Sequence, residues 1–224
     1  MANGLSSEKV KEYGLNAGAS VVGIAASKDF DSAPDGYKPG DGLKGCLSVV
    51  VFGAAFPREA MTQTKVEYTD HRKAMIEKIN GIAESVEKQI KGHGHKARVV
   101  YGFGGKWVKG EQHGLISLKH AAELAGLGTI GRNHLLTSPE YGNLLWLSAV
   151  LTTADLIPDK RSQFSFCDGC NICIEVCPME ALNDPDSFGK KGCSKIIFKM
   201  VDGRWEVQCY QCRKMCPHRF GSLG

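Results

Sequence analysis

Eight cysteines in two spaced sets constrain this chain more than any other feature of its sequence. The stretch CDGCNICIEVCP places the first set directly before a proline, at Cys167, Cys170, Cys173 and Cys177. A proline also follows the second set, which consists of Cys193, Cys209, Cys212 and Cys216. Thiolates are soft, charged ligands that suit iron, and the spacing C-x2-C-x2-C-x3-C-P is typical of 4Fe–4S ferredoxins. The sequence therefore predicts two 4Fe–4S clusters, each with four thiolate ligands.

The spacing also predicts which cysteines share a cluster. In two-cluster ferredoxins the cysteine before the proline ligates the other cluster from its three neighbours. We therefore expect one cluster on Cys177, Cys193, Cys209 and Cys212, and the other on Cys167, Cys170, Cys173 and Cys216. Structural zinc is the alternative, because paired C-x2-C knuckles commonly bind it. The first run crowds its ligands too closely for a usual zinc knuckle, so iron is favoured.

Composition narrows the class of protein. The chain has 224 residues, of which 42% are hydrophobic, so it is long enough to build a globular core. The net charge of +4 is mild and no long basic run occurs, which makes nucleic acid an unlikely partner. We see no signal peptide and no apolar stretch of membrane-spanning length, and therefore expect a cytoplasmic protein with no membrane contact. Nine cysteines in a cytoplasmic chain favour metal binding over disulfides.

Strand and helix patterns alternate over the first 155 residues. Apolar runs predict strands at 20–25, 47–56, 97–103 and 144–153. Helices are expected at 6–17 and 117–126, and the apolar period from Met75 to Ile90 predicts the longest helix. This alternation indicates an α/β layer domain over 1–158. The cysteine-rich remainder, 159–224, is expected to be a ferredoxin-like domain. Cys46, the ninth cysteine, lies beside an apolar run and is expected to be a small core residue.

The stretch GLGTIG has the spacing of a dinucleotide-binding motif, with glycines at 126, 128 and 131. Such a motif must follow a strand and open a helix. Here it follows the predicted helix ISLKHAAELA instead, so a dinucleotide site is not expected. We interpret the stretch as a glycine turn at which backbone closely approaches either protein or a cofactor.

The chain resembles a known family in this region. The stretch AAELAGLGTIGRNHLLTSPEYGNLLWLSAVLTTADL, followed by the two cysteine sets, is similar to epoxyqueuosine reductases and, more distantly, to corrinoid reductive dehalogenases. The family pattern is a helix into AGLG, a GK or GRN turn, a few apolar residues, then YG and a strand. The earlier run SVVVFGAAFP also resembles a strand of that family, so the resemblance extends from about residue 45 to the end.

The resemblance implies a nitroreductase-like α/β domain that holds cobalamin or another corrinoid, with the two clusters supplying its electrons. The residues implied for the corrinoid are those of the glycine turn, Gly126, Gly128, Gly131, Arg132 and Asn133. It further implies a one-electron donor such as ferredoxin or flavodoxin as a partner. Reduction of a small-molecule substrate is the expected activity, which makes the protein an oxidoreductase.

Two departures from the family pattern bear on the reaction. Epoxyqueuosine reductases continue into a helical repeat domain, whereas this chain stops eight residues after Cys216. The family also has a catalytic Asp just before the helix that leads into AGLG, but no Asp occurs between 71 and 153. His113 and Glu111 are the nearest replacements as proton donors, and His113 is able to donate near neutral pH. Tyr101 and Tyr141 are lesser candidates.

Two other functions remain open from the sequence. One is a non-catalytic, ferredoxin-like electron carrier whose upstream domain docks a partner enzyme or a corrinoid protein. The other is reduction of epoxyqueuosine in transfer RNA without the repeat domain. Corrinoid binding separates the reductase from the carrier, because only the reductase requires it.

Overall fold

The structure, a computed structural model, describes the backbone of residues 4–103, 106–108, 111–183 and 190–222, and their side chains outside 106–113 and 190–191. The helices in these residues are α1 (Ser7–Asn16), α2 (Pro39–Gly42), α3 (Lys65–Gly92), α4 (Leu118–Leu124), α5 (Ile172–Glu175), α6 (Lys190–Ile197) and α7 (Gln211–Lys214). The strands are β1 (Val21–Ala26), β2 (Ser48–Ala55), β3 (Ala97–Val100), β4 (Lys106–Val108), β5 (Glu111–His113), β6 (Thr129–Ile130), β7 (Leu136–Thr137), β8 (Leu145–Thr152), β9 (Phe198–Val201) and β10 (Arg204–Val207).

The described residues form two compact units. The first unit comprises 1–55, 75–128 and 146–162, and the second comprises 56–74, 129–145 and 163–224. The long helix α3 therefore contributes its first ten residues to the second unit and the remainder to the first. The domain boundary between residues 158 and 159 that the sequence suggests stays a prediction.

A four-stranded sheet in the order β1-β2-β8-β3 forms the centre of the first unit. The pairs β1–β2 and β3–β8 are antiparallel. Nearly every residue of β2 and β8 is buried, because both strands are apolar, β-branched runs covered on both faces. The four strands lie within two or three residues of their predicted positions, and the mixed α/β class is confirmed.

Helices cover both faces of this sheet. Gly14 in α1 lies so close to Val22 and Phe52 that an added Cβ would stand 2.7 Å and 2.8 Å from their side chains. Gly23, the next residue along β1, approaches the carbonyl of Ala125 at the end of α4 in the same way. Because neighbouring residues of a strand point to opposite faces, α1 and α4 lie on opposite sides of the sheet. Helix α3 joins the core through the buried side chains of Ile79, Ile82, Val86 and Ile90.

The second unit is built from short elements around the cysteines. It contains the two-stranded pairs β6–β7 and β9–β10, both antiparallel, and the single-turn helices α5 and α7. It also contains the eight-residue helix α6 and the first ten residues of α3. No helix in the described part of the chain is both long and apolar enough to cross a membrane.

Candidate metal centre

Four thiols from the two sequence sets line one cavity of the second unit. These are Cys167, Cys170, Cys173 and Cys216, which we name the first cysteine group. The cavity wall is otherwise mainly apolar and includes Phe166, Pro217 and the ring of His218. Phe166 and His218 stack with their ring centroids 4.6 Å apart. Cys216 thus lies with the members of the first set, although more than forty residues separate it from Cys167.

The other four thiols form the second cysteine group, which consists of Cys177, Cys193, Cys209 and Cys212. Burial raises the pKa of Cys193, and the nearby thiolates of Cys209 and Cys177 raise it further. Burial likewise raises the pKa of Cys212 to about 11; Arg213 opposes this, while Cys193, Cys209 and Cys177 add to it. These mutual effects place Cys177 with the second sequence set rather than with its own. Cys216 lines the cavity of the first set, as the spacing predicts, whereas the ligand set of each cluster stays a prediction.

Charge accumulation shows why such a site requires a cation. Burial raises the pKa of Cys173 to about 11, and the surrounding thiolates, led by Cys167 and Cys212, act in the same direction. Four deprotonated thiols in one small apolar cavity repel one another and are poorly solvated. Iron neutralises that charge, and metal binding releases the thiol protons. The donor set, four thiols around one cavity, is therefore suited to a 4Fe–4S cluster. No group of three or more His, Cys, Asp or Glu among the described side chains has the geometry of a single-ion site.

Backbone amides also point at these sulfurs. The amide of Arg132 donates to the Sγ of Cys167 at 3.4 Å, and the amide of Ala181 donates to the Sγ of Cys177 at 3.3 Å. Hydrogen bonds to ligand sulfurs stabilise the thiolate and tune the potential of a cluster. Each cysteine group thus contains one sulfur that accepts a hydrogen bond from a backbone amide.

The glycine turn expected to hold a corrinoid contacts the cysteine loops. Gly131 approaches Cys167 so closely that an added Cβ would lie 3.2 Å from its sulfur. The side chain of Arg132 bonds to the carbonyl of Cys170 and to Asn171. Asn133 is buried and donates from Nδ2 to the carbonyl of Cys212 at 3.3 Å. The sequence left open whether this turn approaches protein or a cofactor, and on these sides it approaches protein.

Two further residues of that turn belong to the first unit. An added Cβ on Gly126 would lie 2.3 Å from the carbonyl oxygen of Lys160, so this glycine allows one backbone segment to pass closely over another. Gly128 is buried. The role of all five turn residues in corrinoid binding stays a prediction.

The proposed proton donors cannot be placed in a site. Glu111 and His113 lie in β5, where the backbone is described but the side chains lie outside the described residues. Tyr101 is exposed at 47%, and Tyr141 is partly buried. Neither tyrosine lines the cavity of the first cysteine group.

Sequence reasoning missed an aromatic and basic cover over the second cysteine group. The ring of Tyr68, in α3, stacks flat on that of Tyr210 with the centroids 3.8 Å apart. The pKa of Tyr68 is raised, mainly by burial and to a smaller extent by Tyr210 and Cys212. The positive charges of Arg213 and Arg72 act in the opposite direction. Tyr68 precedes the helical period read from the sequence, and no local pattern linked it to cysteines 140 residues away. The sequence shows only that Tyr210 lies between the predicted ligands Cys209 and Cys212, which indicates an aromatic side chain near them.

Comparison with known proteins agrees with this geometry. A family model described as a 4Fe-4S binding domain matches residues 163–183, which include all of the first cysteine set. The epoxyqueuosine reductase of Bacillus subtilis (strain 168) is 22% identical over 94% of this chain and 62% of its own length. That of Synechococcus sp. (strain RCC307) is 36% identical over 43% of this chain and 32% of its own. The resemblance to epoxyqueuosine reductases is confirmed. The chain spans less than two thirds of the length of these relatives.

Solved structures show the same fold. The structure of epoxyqueuosine reductase with an epoxyqueuosine-modified tRNA-Tyr stem loop matches 95% of this chain and 64% of its own, with a TM-score of 0.65 and 21% identity. A catabolic reductive dehalogenase in complex with 3-bromo-4-hydroxybenzoic acid matches 96% of this chain and 29% of its own, with a TM-score of 0.62 and 21% identity. The chain is thus an iron–sulfur protein related to epoxyqueuosine reductases, with a fold that reductive dehalogenases share.

Proposed function

We propose that the chain binds two 4Fe–4S clusters and works as an electron-delivering reductase. The observation that carries this proposal is the arrangement of eight thiols into two groups of four within one compact unit. Asn133 lines the cavity of the first group and donates to the carbonyl of Cys212 in the second group at 3.3 Å, so the two groups lie near each other. Two clusters on these ligands would therefore be close enough to exchange electrons. Each cluster supplies one-electron chemistry when bound, and the chain holds its ligands and excludes water.

The first test of this proposal is iron content. After anaerobic reconstitution we expect close to eight iron and eight sulfide per chain, which is the content of two cubanes. The counts come from colorimetric iron and sulfide assays, and the cluster type from electron paramagnetic resonance of the reduced protein. A plateau near four iron, or zinc in its place, would contradict the two-cluster proposal.

The electron acceptor is proposed from the relatives. A corrinoid in the upstream domain, with the nitroreductase-like layer arrangement that the family implies, is favoured by the shared fold with a reductive dehalogenase described as B12-dependent. Gly126, Gly131, Arg132 and Asn133 contact protein, and Gly131 and Arg132 also line a second cavity of about 210 Å³. The corrinoid proposal therefore rests on the relatives. Titration of the reconstituted protein with cobalamin in two cobalt oxidation states distinguishes the reductase from a non-catalytic carrier. A saturable spectral change is expected of the reductase, whereas the carrier predicts none at micromolar protein.

Reduction of epoxyqueuosine in transfer RNA is the substrate proposal that the relatives favour most. The curated relatives reported above are named for that reaction, and one similar structure contains the modified stem loop. Against this stands the lack of any Asp between 71 and 153, where the family's catalytic Asp is expected. Incubation of the reduced, cobalamin-loaded protein with an epoxyqueuosine-modified stem loop, followed by nucleoside mass spectrometry, tests the proposal. Product formation supports transfer-RNA reduction, and its absence with cobalamin bound favours a small-molecule substrate.

A further inference from the structure

A β-hairpin connects two ligands of the second cysteine group and displays apolar side chains to solvent. Strands β9 and β10 lie between Cys193 and Cys209 and are joined by Asp202 and Gly203, both with positive φ. Such a two-residue Asp-Gly turn matches the twist of a tight hairpin. Met200 and Trp205 are direct cross-strand partners and therefore share a face. They are exposed at 46% and 58%, so the structure shows a Met–Trp pair that its own packing leaves largely uncovered.

The hairpin is held firmly against the start of α3. The amide of Val207 donates to Oγ1 of Thr69 at 2.9 Å, and this bond is buried. Arg204 forms an ion pair with Asp70 and also bonds to the carbonyl of Val66. Exposure of Trp205 therefore does not result from a loose segment. A large aromatic residue fixed in an exposed position is the usual centre of a binding surface, because burying it costs little conformational entropy.

The segment that carries the hairpin is also strongly basic. Residues 190–222 contain eight basic side chains and two acidic ones, whereas the rest of the chain contains twenty basic and twenty-two acidic side chains. The basic residues are Lys190, Lys191, Lys195, Lys199, Arg204, Arg213, Lys214 and Arg219. Lys195 and Lys199 are exposed. The mild net charge of the whole chain thus conceals a stretch of sequence with a charge of +6, which includes Cys193, Cys209 and Cys212 of the second cysteine group.

We propose that the hairpin face around Trp205 and Met200 docks an acidic one-electron carrier protein. This inference rests on the proposed function, because it supplies the electrons for the two clusters. The basic segment would steer an acidic partner and set its orientation, while the Met–Trp pair would form the dry centre of the contact. The hairpin is joined at both ends to ligands of one cysteine group, so a partner seated here would lie beside that cluster. With a cluster held by Cys177, Cys193, Cys209 and Cys212, one electron would pass from the reduced carrier to that cluster, and no bond would form or break.

The test compares two reductants of the reconstituted protein. A reduced acidic ferredoxin must dock before it transfers an electron, whereas dithionite reduces the clusters without docking. We expect Trp205→Ala to lower the second-order rate of reduction by ferredoxin at least tenfold and to leave the dithionite rate within twofold. Lys199 pairs with Glu206 on the other face of the hairpin, so Lys199→Glu should act only through longer-range steering and lower the ferredoxin rate by less, about threefold. Lys199→Glu should also flatten the dependence of the ferredoxin rate on ionic strength. Calorimetric titration with oxidised ferredoxin should show a matching loss of affinity in both variants.

Matched control variants lie in the first unit. Leu15→Ala removes an apolar side chain that is exposed at 51%, and Lys44→Glu makes the same charge change at another exposed lysine. Both controls should keep the parent rate with ferredoxin. Iron content and circular dichroism confirm that each variant is folded and loaded. If the parent protein holds no clusters, the proposed function has failed rather than the docking surface.

Three results would overturn the docking proposal in a loaded protein. The first is an unchanged ferredoxin rate in both hairpin variants. The second is loss of a dimer of this chain in Trp205→Ala, measured by light scattering, because the face would then be covered by a second copy. The third is binding of an RNA stem loop to the parent protein, with displacement of ferredoxin and with loss of that binding in both variants. The basic face would then bind nucleic acid.

Discussion

The two cysteine groups each gather four thiols, but they are built in different ways. The first group takes three members from one short run of chain, and backbone lies over it, through the amide of Arg132 and the bare Cα of Gly131. The second group takes its members from separate places, with a hairpin between Cys193 and Cys209. The second group also accepts a backbone amide, from Ala181 to Cys177, but it has aromatic and basic side chains near it as well, with Tyr68 stacked on Tyr210 and Arg213 next to Cys212.

This difference predicts how each group responds to substitution of the residues around it. A sulfur that backbone approaches this closely is sensitive to added volume, because backbone cannot rotate out of the way. A pocket covered by charged and aromatic side chains is sensitive to changes of charge, because those groups set the local field. We therefore expect steric substitutions to affect the first group and charge substitutions to affect the second.

The largest expected effect is the loss of a whole cluster from a single crossed ligand. Cys216→Ser should abolish the cluster of the first group, because Cys216 lines that cavity with Cys167, Cys170 and Cys173. Cys177→Ser is the matched variant and should abolish the other cluster. Iron should fall by about half in each, and the resonance spectra of the two variants should be complementary. Should Cys216→Ser perturb only the cluster held by Cys209 and Cys212, the interleaved assignment is wrong.

A steric substitution beside Cys216 should have the next largest effect. Gly142 has a φ of +55°, and an added Cβ would lie 2.2 Å from the carbonyl oxygen of His218 and 2.3 Å from the backbone of Arg219. Gly142→Ala must therefore displace the segment that follows Cys216. This overlap lowers the free energy of unfolding by about 1–3 kcal/mol, in addition to the cost of an alanine in the left-handed conformation. We expect faster iron loss from the first cluster than from the second.

Gly36→Ala provides the control for backbone conformation alone. Gly36 has a φ of +85° but no heavy atom within 4 Å of an added Cβ. It should lose only about 1–2 kcal/mol, from the left-handed conformation, with both clusters unaffected. Thermal unfolding and the rate of iron release to a chelator measure both effects. Equal iron release from the two glycine variants would show that contact with His218 and Arg219 does not matter.

A change of charge should act on the second cluster alone. Arg213 lowers the pKa of Cys212, and its guanidinium also bonds to the carbonyl of Asn143. Removal of this positive charge disfavours the added electron, so Arg213→Met should lower the reduction potential of the second cluster by tens of millivolts. Arg213→Lys keeps the charge and should shift the potential less. A redox titration monitored by electron paramagnetic resonance measures both potentials. An equal shift in the potentials of both clusters, or an equal shift in the two variants, would contradict this prediction.

The sequence predicted the local features of this molecule better than the long-range ones. The cysteine spacing predicted that Cys216 lies with Cys167, Cys170 and Cys173, because that arrangement depends on a short motif with one geometry. The ligand set of each cluster stays a prediction. Strands β2 and β8 were found because buried apolar runs are a local signal. The start of α3 was missed, because its residues face the cysteine loops and lack the apolar period of the later turns. The stack of Tyr68 on Tyr210 and the contact of Gly131 with Cys167 depend on tertiary structure, which no local pattern encodes.

The smallest effect is expected at the ninth cysteine, which belongs to neither group. Cys46 is buried at the edge of β2, and its Sγ donates to the carbonyl of Ser48 at 3.3 Å. Burial raises its pKa, so the thiol stays neutral and is a poor metal ligand. Serine retains a donor for the same carbonyl and leaves little empty volume. Cys46→Ser should therefore keep full iron content and change the unfolding free energy by about 1 kcal/mol or less. Loss of iron in this variant would show that Cys46 supports a cluster. The division of the nine cysteines into eight ligands and one core residue would then be wrong.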